Sequence, residues 1–490
     1  MLSLFSGGSI DITVAKSPNR FLAAAALGHE APPSTPQEMD RVGVIGAGPV
    51  GLYAAYRLVK SGHRVVVWEK GQVGGNVDKW AHVTLFSALS LNLPEDARKD
   101  LEAGLGEACG PRSLAGGDAF LTGGEFRRDV LLPLAAWLRA SGRCEIVEGR
   151  AVAGLGRGAL LKKEGVAAIG DDRRSSAPFR ALLRSADGAE TLATVSAVVD
   201  CSGTYASETA ARAGSGGLSA PGEAAAEASG RVTRVIPDPA REPGLVAGKR
   251  VAILGAGYSA ITTLKALADI EGPAAPKAIY WLLRKAETPY DRVADDPLPQ
   301  RDTLAKYGNG LAAVGATALR GGGAFEAIRG VEVARVASAG DGLELELAGP
   351  GAARTLAVDR LISLTGFRPD AGIYSELHVH QCYASDGPMK LAATLLAAAA
   401  GGGGGDCLKQ AAPGVGTLLN PEPDFFILGM KSYGRNSAFL MRVGYEQVSL
   451  LVDKLRDRAP LPPFDAPAAK PDAPNDNAAP AGALLVPAAA

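Results

Sequence analysis

The sequence is poor in cysteine and aromatics, balanced in charge and without a long apolar run, and these lacks remove whole classes of protein. Five cysteines, Cys109, Cys144, Cys201, Cys382 and Cys407, are spread over 490 residues and never form a C-x-x-C pair. Odd in number and scattered, they argue against a disulfide scaffold and a zinc ribbon. Lys and Arg number 51 against 52 for Asp and Glu, a formal net charge of −1. That balance offers no basic footprint for nucleic acid and no polybasic attraction to anionic lipid. No apolar stretch approaches the roughly 20 residues that span a bilayer; residues 391–400 are short, Ala-rich and followed by glycines. The expectation is a cytoplasmic protein. Residues 1–40 precede the first clear strand and carry an apolar stretch at 21–27, with Lys16 and Arg20 offset by Asp11 and Glu30, so organelle targeting stays open beside it.

What is present is enough for large cores and several domains. Hydrophobic residues make up 47% and charged residues 21% of the chain, the balance of a globular enzyme of two or three domains. Arg41–Ile45 reads as a short buried strand, residues 52–60 as a helix with Leu52, Ala55, Leu58 and Val59 on one face, and residues 64–68 as a second strand. The plan returns about 210 residues later, with a strand at 250–254, a helix at 259–268 and a strand at 278–283. Two such units predict two doubly wound parallel sheets, an α/β fold. Each is followed by alternating stretches, 179–195 and 343–356, and by a strand ending in a small-residue turn. Segments 209–231, 401–405 and 459–490 are low in complexity and are expected to be poorly ordered.

Between strand and helix of the first unit lies Gly46-Ala47-Gly48-Pro49-Val50-Gly51, a G-x-G-x-x-G loop. The first glycine permits the tight turn, the second lets backbone approach a pyrophosphate, and the third lets the helix pack on the sheet. Glu69, followed by Lys70, ends the second strand 18 residues beyond Gly51; an acid there takes the ribose hydroxyls of an adenosine and repels a 2′-phosphate. Gly255-Ala256-Gly257-Tyr258-Ser259-Ala260 is the second loop, with Ala260 in the third glycine position. Its second strand ends in Arg284-Lys285, with no acid, which suits the 2′-phosphate of NADPH.

With these loops, the turn Asp200-Cys201-Ser202-Gly203 and the run Thr365-Gly366-Phe367-Arg368-Pro369-Asp370, the chain resembles the two-dinucleotide-binding-domain flavoproteins. These include the flavin-containing monooxygenases and the pyridine nucleotide-disulfide reductases. The resemblance covers roughly residues 41–455 and implies FAD at the first loop and NADPH at the second. Gly74-Gly75 resembles the turn beside the flavin, and Gly257-Tyr258-Ser259-Ala260 resembles the monooxygenase version of the second loop. The F-x-G-x-x-x-H-x-x-x-[FY] fingerprint of that branch is missing, and residues 231–238 stand in its place. Residues 425–430, ending Gly429-Met430, resemble the strand that closes the FAD site, where the disulfide-reductase branch has Gly-Asp.

The expected architecture is an FAD domain from 41–246 and 359–458, interrupted by an NADPH domain at 247–358. Lys431, Tyr433 and Arg435 are candidates for polar groups reaching the isoalloxazine or substrate, or are ordinary loop residues. His82 either faces the cavity beside the flavin or is a structural histidine. His378 and His380 alternate on a strand-like segment at 377–382 without a third metal ligand in register. The resemblance implies hydride transfer from NADPH to FAD, then O2 giving a C4a-(hydro)peroxyflavin that oxygenates a small nitrogen or sulfur nucleophile. A reductase passing electrons to a small acceptor and a non-catalytic flavin sensor are the alternatives.

Overall fold

The computed structural model describes residues 41–105, 113–165, 173–205, 211–292, 296, 298–350, 353–400 and 412–456. The readings of segments 1–40, 401–405 and 459–490, and of Cys109 and Cys407, fall outside those residues.

Val42, Val44 and Ile45, and Val65 to Trp68, are buried runs of mostly β-branched residues, which suit strands covered on both faces. They form the middle of a five-stranded parallel sheet in the order Phe425–Ile427, Ala197–Asp200, Arg41–Ile45, Arg64–Trp68, Cys144–Val147. One face carries the helix Pro49–Lys60, which starts on Pro at its first turn and ends with Arg57 and Lys60 in the last. The helix Met441–Arg456 packs beside it, a Cβ on Gly444 meeting Val50 at 2.7 Å. The other face is covered by the antiparallel sheet Arg150–Arg157, Phe179–Ser185, Glu190–Val195.

The second sheet repeats this plan. Its order is Ala316–Ala318, Ala324–Arg329, Ala278–Leu283, Arg250–Leu254, Arg360–Ser363, Val232–Thr233, parallel apart from the first pair. Helices Tyr258–Ala268 and Pro299–Val314 cover one face. The antiparallel sheet Glu332–Ala339, Gly342–Ala348, Arg354–Val358 covers the other.

Three expectations differ from what the structure gives. The second sheet takes in Val232–Thr233 and Arg360–Ser363, so it reaches beyond 247–358 on both sides. Segment 211–231 is built into this domain instead of being loose: the helix Glu223–Ala228 buries Glu223, which accepts from Ala213 N at 3.0 Å and Ala220 N at 2.8 Å and pairs with Arg234. Its Ala/Gly composition lacks hydrophobic mass, and a buried carboxylate network replaces it. Residues 377–382 form no strand, only an isolated bridge from Gln381 to Pro388.

Candidate dinucleotide sites

In the first loop the three glycines do different work. A Cβ on Gly51 would stand 1.9 Å from Gly46 O, and one on Gly46, at φ +95°, 2.9 Å from Cys201 O. Those two positions are demanded by the fold itself. A Cβ on Gly48 would meet nothing within 4 Å. Gly48 caps the helix Pro49–Lys60 without any side-chain hydrogen bond. The uncapped helix start beneath an open surface is an anion cradle.

Glu69 is fastened to this cradle: its carboxylate accepts from Ala47 N at 2.7 Å and from Gly71 N at 2.8 Å. Lys70 beside it is exposed. Gly74 N donates to Ala47 O at 3.0 Å, and Gly75 faces open space, so the Gly74-Gly75 turn borders the same cradle.

The third wall is the turn after Ala197–Asp200. Ser202 N donates to Asp200 Oδ1 at 3.0 Å, and Gly203, at φ +70°, is open. Lys431 enters from the C-terminal strand: its Nζ lies 2.6 Å from Asp200 Oδ2 and donates to Ser202 Oγ at 3.0 Å. It also sits 5.2 Å from the centroid of the Tyr374 ring. Gly429, at φ +70°, lies against Val50 of the loop helix, and its N–H donates to Gln447 Oε1 at 2.8 Å. Met430, between them, is half-buried.

Lys431, Tyr433 and Arg435 do not converge. Lys431 is a buried strut in the Asp200 ion pair. Tyr433 is buried with its ring edge-on to Phe439 at 5.3 Å. Arg435 is exposed and pairs with Asp386. Their shared loop position carried the expectation, and the short 3₁₀ turn Gly429–Tyr433 turns the side chains apart.

In the second loop, a Cβ on Gly255 would meet Leu364 O at 2.4 Å, whereas Gly257 is open. Ala260 is fully buried under the helix, while Ser259 is exposed. Trp281 Nε1 donates to Gly255 O at 2.8 Å and Tyr290 OH to Gly257 O at 3.3 Å. Tyr258 lies between Tyr290, at 5.7 Å, and Phe86 of the first domain, at 5.8 Å between centroids. Thr365 and Gly366 bond to Ala211 just below this loop, so that turn supports the second site. Arg284 and Lys285 are exposed at the strand end.

The two candidate histidines His82 and His378 contact neighbouring segments. His82 Nδ1 stands 3.6 Å from Asp238 Oδ2 between the two domains. His378 N donates to the buried Glu422 at 2.9 Å, and no metal-ligand cluster exists among the described residues. Cys144, Cys201 and Cys382 are free thiols. Burial, with Asp200 beside it, pushes the Cys201 thiol well above its usual range. Asp200 as an anchor, Gln447 and the Trp281–Tyr290 pair escaped sequence reading, since each acts through partners distant in the chain.

Known structures share this fold. Bacillithiol disulfide reductase from Bacillus cereus is 16% identical and superposes with a TM-score of 0.58 over 86% of this chain and all of its own. Ornithine hydroxylase from Pseudomonas aeruginosa is 14% identical, with a TM-score of 0.53 over 86% of this chain and 99% of its own. The likeness to these two proteins is one of fold. Residues 44–91 match the NAD(P)-binding Rossmann-like domain family. A 46-residue stretch is 56% identical to two flavin-containing monooxygenases of Arabidopsis thaliana, FMO GS-OX-like 5 and 3. That match spans 9% of this chain and 10% of each relative.

Proposed function

We propose that the protein is an FAD-dependent NADPH oxidoreductase that oxygenates a soft nitrogen or sulfur nucleophile on a small molecule. The observation that carries the two-cofactor part is the pair of loops whose middle glycines, Gly48 and Gly257, alone face open space. Each lies at an uncapped helix start, where N–H groups and helix dipole favour a pyrophosphate. The residues fit FAD at the first loop and NADPH at the second. Glu69 keeps lone pairs for ribose hydroxyls there, while the second loop has cations in its place.

Bound FAD would supply hydride acceptance from NADPH and the reaction with O2. The chain's own part is positioning. The Pro49–Lys60 helix start holds phosphate, Glu69 orients ribose, and Lys431 fixes the Ser202-Gly203 turn against the loop. Tyr433, Leu440 and Leu391 pack with Leu298 of the second domain, an apolar seam that keeps water out between the domains. The monooxygenase reading draws on the similarity to the plant monooxygenases and on Cys201, whose buried, protonated thiol suits no thiolate relay.

A reductase passing electrons to a small acceptor without oxygen insertion is the second reading, favoured by the likeness to disulfide reductases and by the missing fingerprint. The test is to reduce the holoprotein anaerobically with NADPH, admit O2 with a tertiary amine or thioether, and count products. Oxygenated product matching NADPH consumed supports oxygenation. Hydrogen peroxide alone, with rapid turnover on quinones, favours the reductase. Failure of both NADPH and NADH to bleach the flavin would overturn both.

A further inference from the structure

We infer that Arg234 is a positioning residue that clamps the two chain crossings between the domains, so that the two dinucleotide loops keep one mutual orientation. This deepens the two-cofactor reading above and rests on it for its catalytic consequence.

Gly230 keeps the glycine of the missing F-x-G-x-x-x-H-x-x-x-[FY] pattern, and by that spacing Arg234 stands at the histidine and Asp238 at the aromatic position. Arg234 directly follows the edge strand Val232–Thr233, yet it is only 4% exposed. A guanidinium is tolerated at that depth only when its N–H groups are answered. Its Nη2 donates to Glu223 Oε1 at 2.5 Å and to Glu227 Oε2 at 2.9 Å, its Nε to Glu227 Oε1 at 2.8 Å, and its Nη1 to Ala211 O at 3.1 Å. Glu223 is itself fully buried, and Arg212 joins Glu227 at 2.9 Å. With all three nitrogens engaged inside the protein, the guanidinium offers no fork to a ligand. Its work is on the chain it holds.

That chain is the hinge. The backbone leaves the first sheet after Ala197–Asp200 and returns to the first domain after Arg360–Ser363. The two crossings are joined to each other: Tyr205 and Phe367 lie 4.5 Å apart between ring centroids, and Ala211 N donates to Gly366 O at 2.8 Å. Ala211 O accepts from Thr365 Oγ1 at 2.9 Å and from Arg234, so one carbonyl ties both crossings to the buried network. Domains swing where a few connecting residues absorb large changes of φ and ψ. Gly203 and Gly366, at φ +70° and +100°, are the residues of these crossings freest to do so. Arg234 removes that freedom by holding Ala211, the partner of Gly366. Four residues further on, Asp238 Oδ2 stands 3.6 Å from His82 Nδ1, on the stretch that follows the Gly74-Gly75 turn of the first domain. The segment that replaces the fingerprint therefore grips the hinge at one end and the flavin side at the other.

The experiment compares flavin-loaded parent with Arg234→Gln, Arg234→Lys, Thr365→Val and a charge control, Arg335→Gln, whose exposed side chain pairs with Glu346. Arg234→Gln should slow anaerobic flavin bleaching at saturating NADPH by about tenfold or more, since small misplacements of reacting partners are that costly. Its calorimetric dissociation constant for NADP+ should stay within about threefold of the parent, because no contact to the Gly255–Ala260 loop is removed. Small-angle X-ray scattering should report a larger radius of gyration for it. Arg234→Lys, which keeps a charge beside Glu223, should recover part of both losses, and Arg335→Gln should match the parent throughout. Thr365→Val buries no unpaired charge and should slow bleaching several-fold, the loss of one hydrogen bond to Ala211; it carries the test if flavin content or circular dichroism shows Arg234→Gln misfolded. Parent rates and parent scattering in the Arg234 and Thr365 variants overturn the clamp. So does NADP+ affinity that falls in step with the rate, which would place the effect in the second loop instead of the orientation. A parent that NADPH does not bleach overturns the two-cofactor reading, while scattering by the same variants still decides the clamp.

Discussion

Lys431 Nζ and Asp200 Oδ2 stand 2.6 Å apart with side chains 1% and 0% exposed, joining residues 231 positions apart at the ends of neighbouring strands. Removing one partner strands the other's charge in the core. Lys431→Met should cost about 3–5 kcal/mol in stability, read as an earlier denaturation midpoint, and should loosen flavin retention because Ser202 loses its donor. Pairing it with Asp200→Asn should restore much of the stability. If Lys431→Met unfolds at the parent midpoint, the pair is not a strut.

The loop glycines separate fold from ligand. Gly51→Ala forces a Cβ into Gly46 O and should destabilise the first domain by at least about 2 kcal/mol. Gly48→Ala enters open space and should leave the melting temperature of the flavin-free protein within a degree or two, while lowering flavin content severely. Flavin titration of both apoproteins checks this; a Gly48→Ala protein that binds flavin normally would mean the cradle lies elsewhere.

His63 is buried beside Ser61 Oγ, 3.0 Å from its Nδ1, and burial holds its pKa below the usual value. Between that lowered value and about 6.5 the unfolded chain binds a proton that the folded chain refuses. Stability therefore falls as pH drops through this window and is retained above it. Melting temperatures measured from pH 8 to pH 5 should show a shallower acid decline in His63→Asn than in the parent; parallel curves would rule the group out.

Cys144, Cys201 and Cys382 are all buried, and their neighbours separate them. Burial raises the Cys144 thiol to about 12 and the Cys201 thiol well above its usual range, whereas hydrogen bonds from Ser385 lower that of Cys382. Of these three, Cys382 should alkylate first at pH 8, and Cys144 and Cys201 only after denaturant, as peptide mapping by mass spectrometry would report. Early labelling of Cys201 in native protein would reopen a thiol relay.

Much of this was legible in the chain because nucleotide loops write themselves locally. Strands Arg41–Ile45, Arg64–Trp68, Arg250–Leu254 and Ala278–Leu283 occupy the expected residues, since short β-branched runs bounded by glycine admit few alternatives. The alternating stretch 179–195 was equally clear and forms the antiparallel pair Phe179–Ser185 and Glu190–Val195. The segment 211–231 was not, because what orders it is Arg234 reaching back to Glu223.

The sequence by itself determined the two loops, the acid at Glu69 and the cations at Arg284 and Lys285, because each depends on neighbours within one β-turn-α-β unit. Tertiary structure alone decided which groups complete those sites. Lys431 meets Asp200 and Tyr258 meets Phe86 through strand order and domain packing. Sheet register joins residues by hydrogen bonding across the chain, and no local pattern of residue types encodes that partnership.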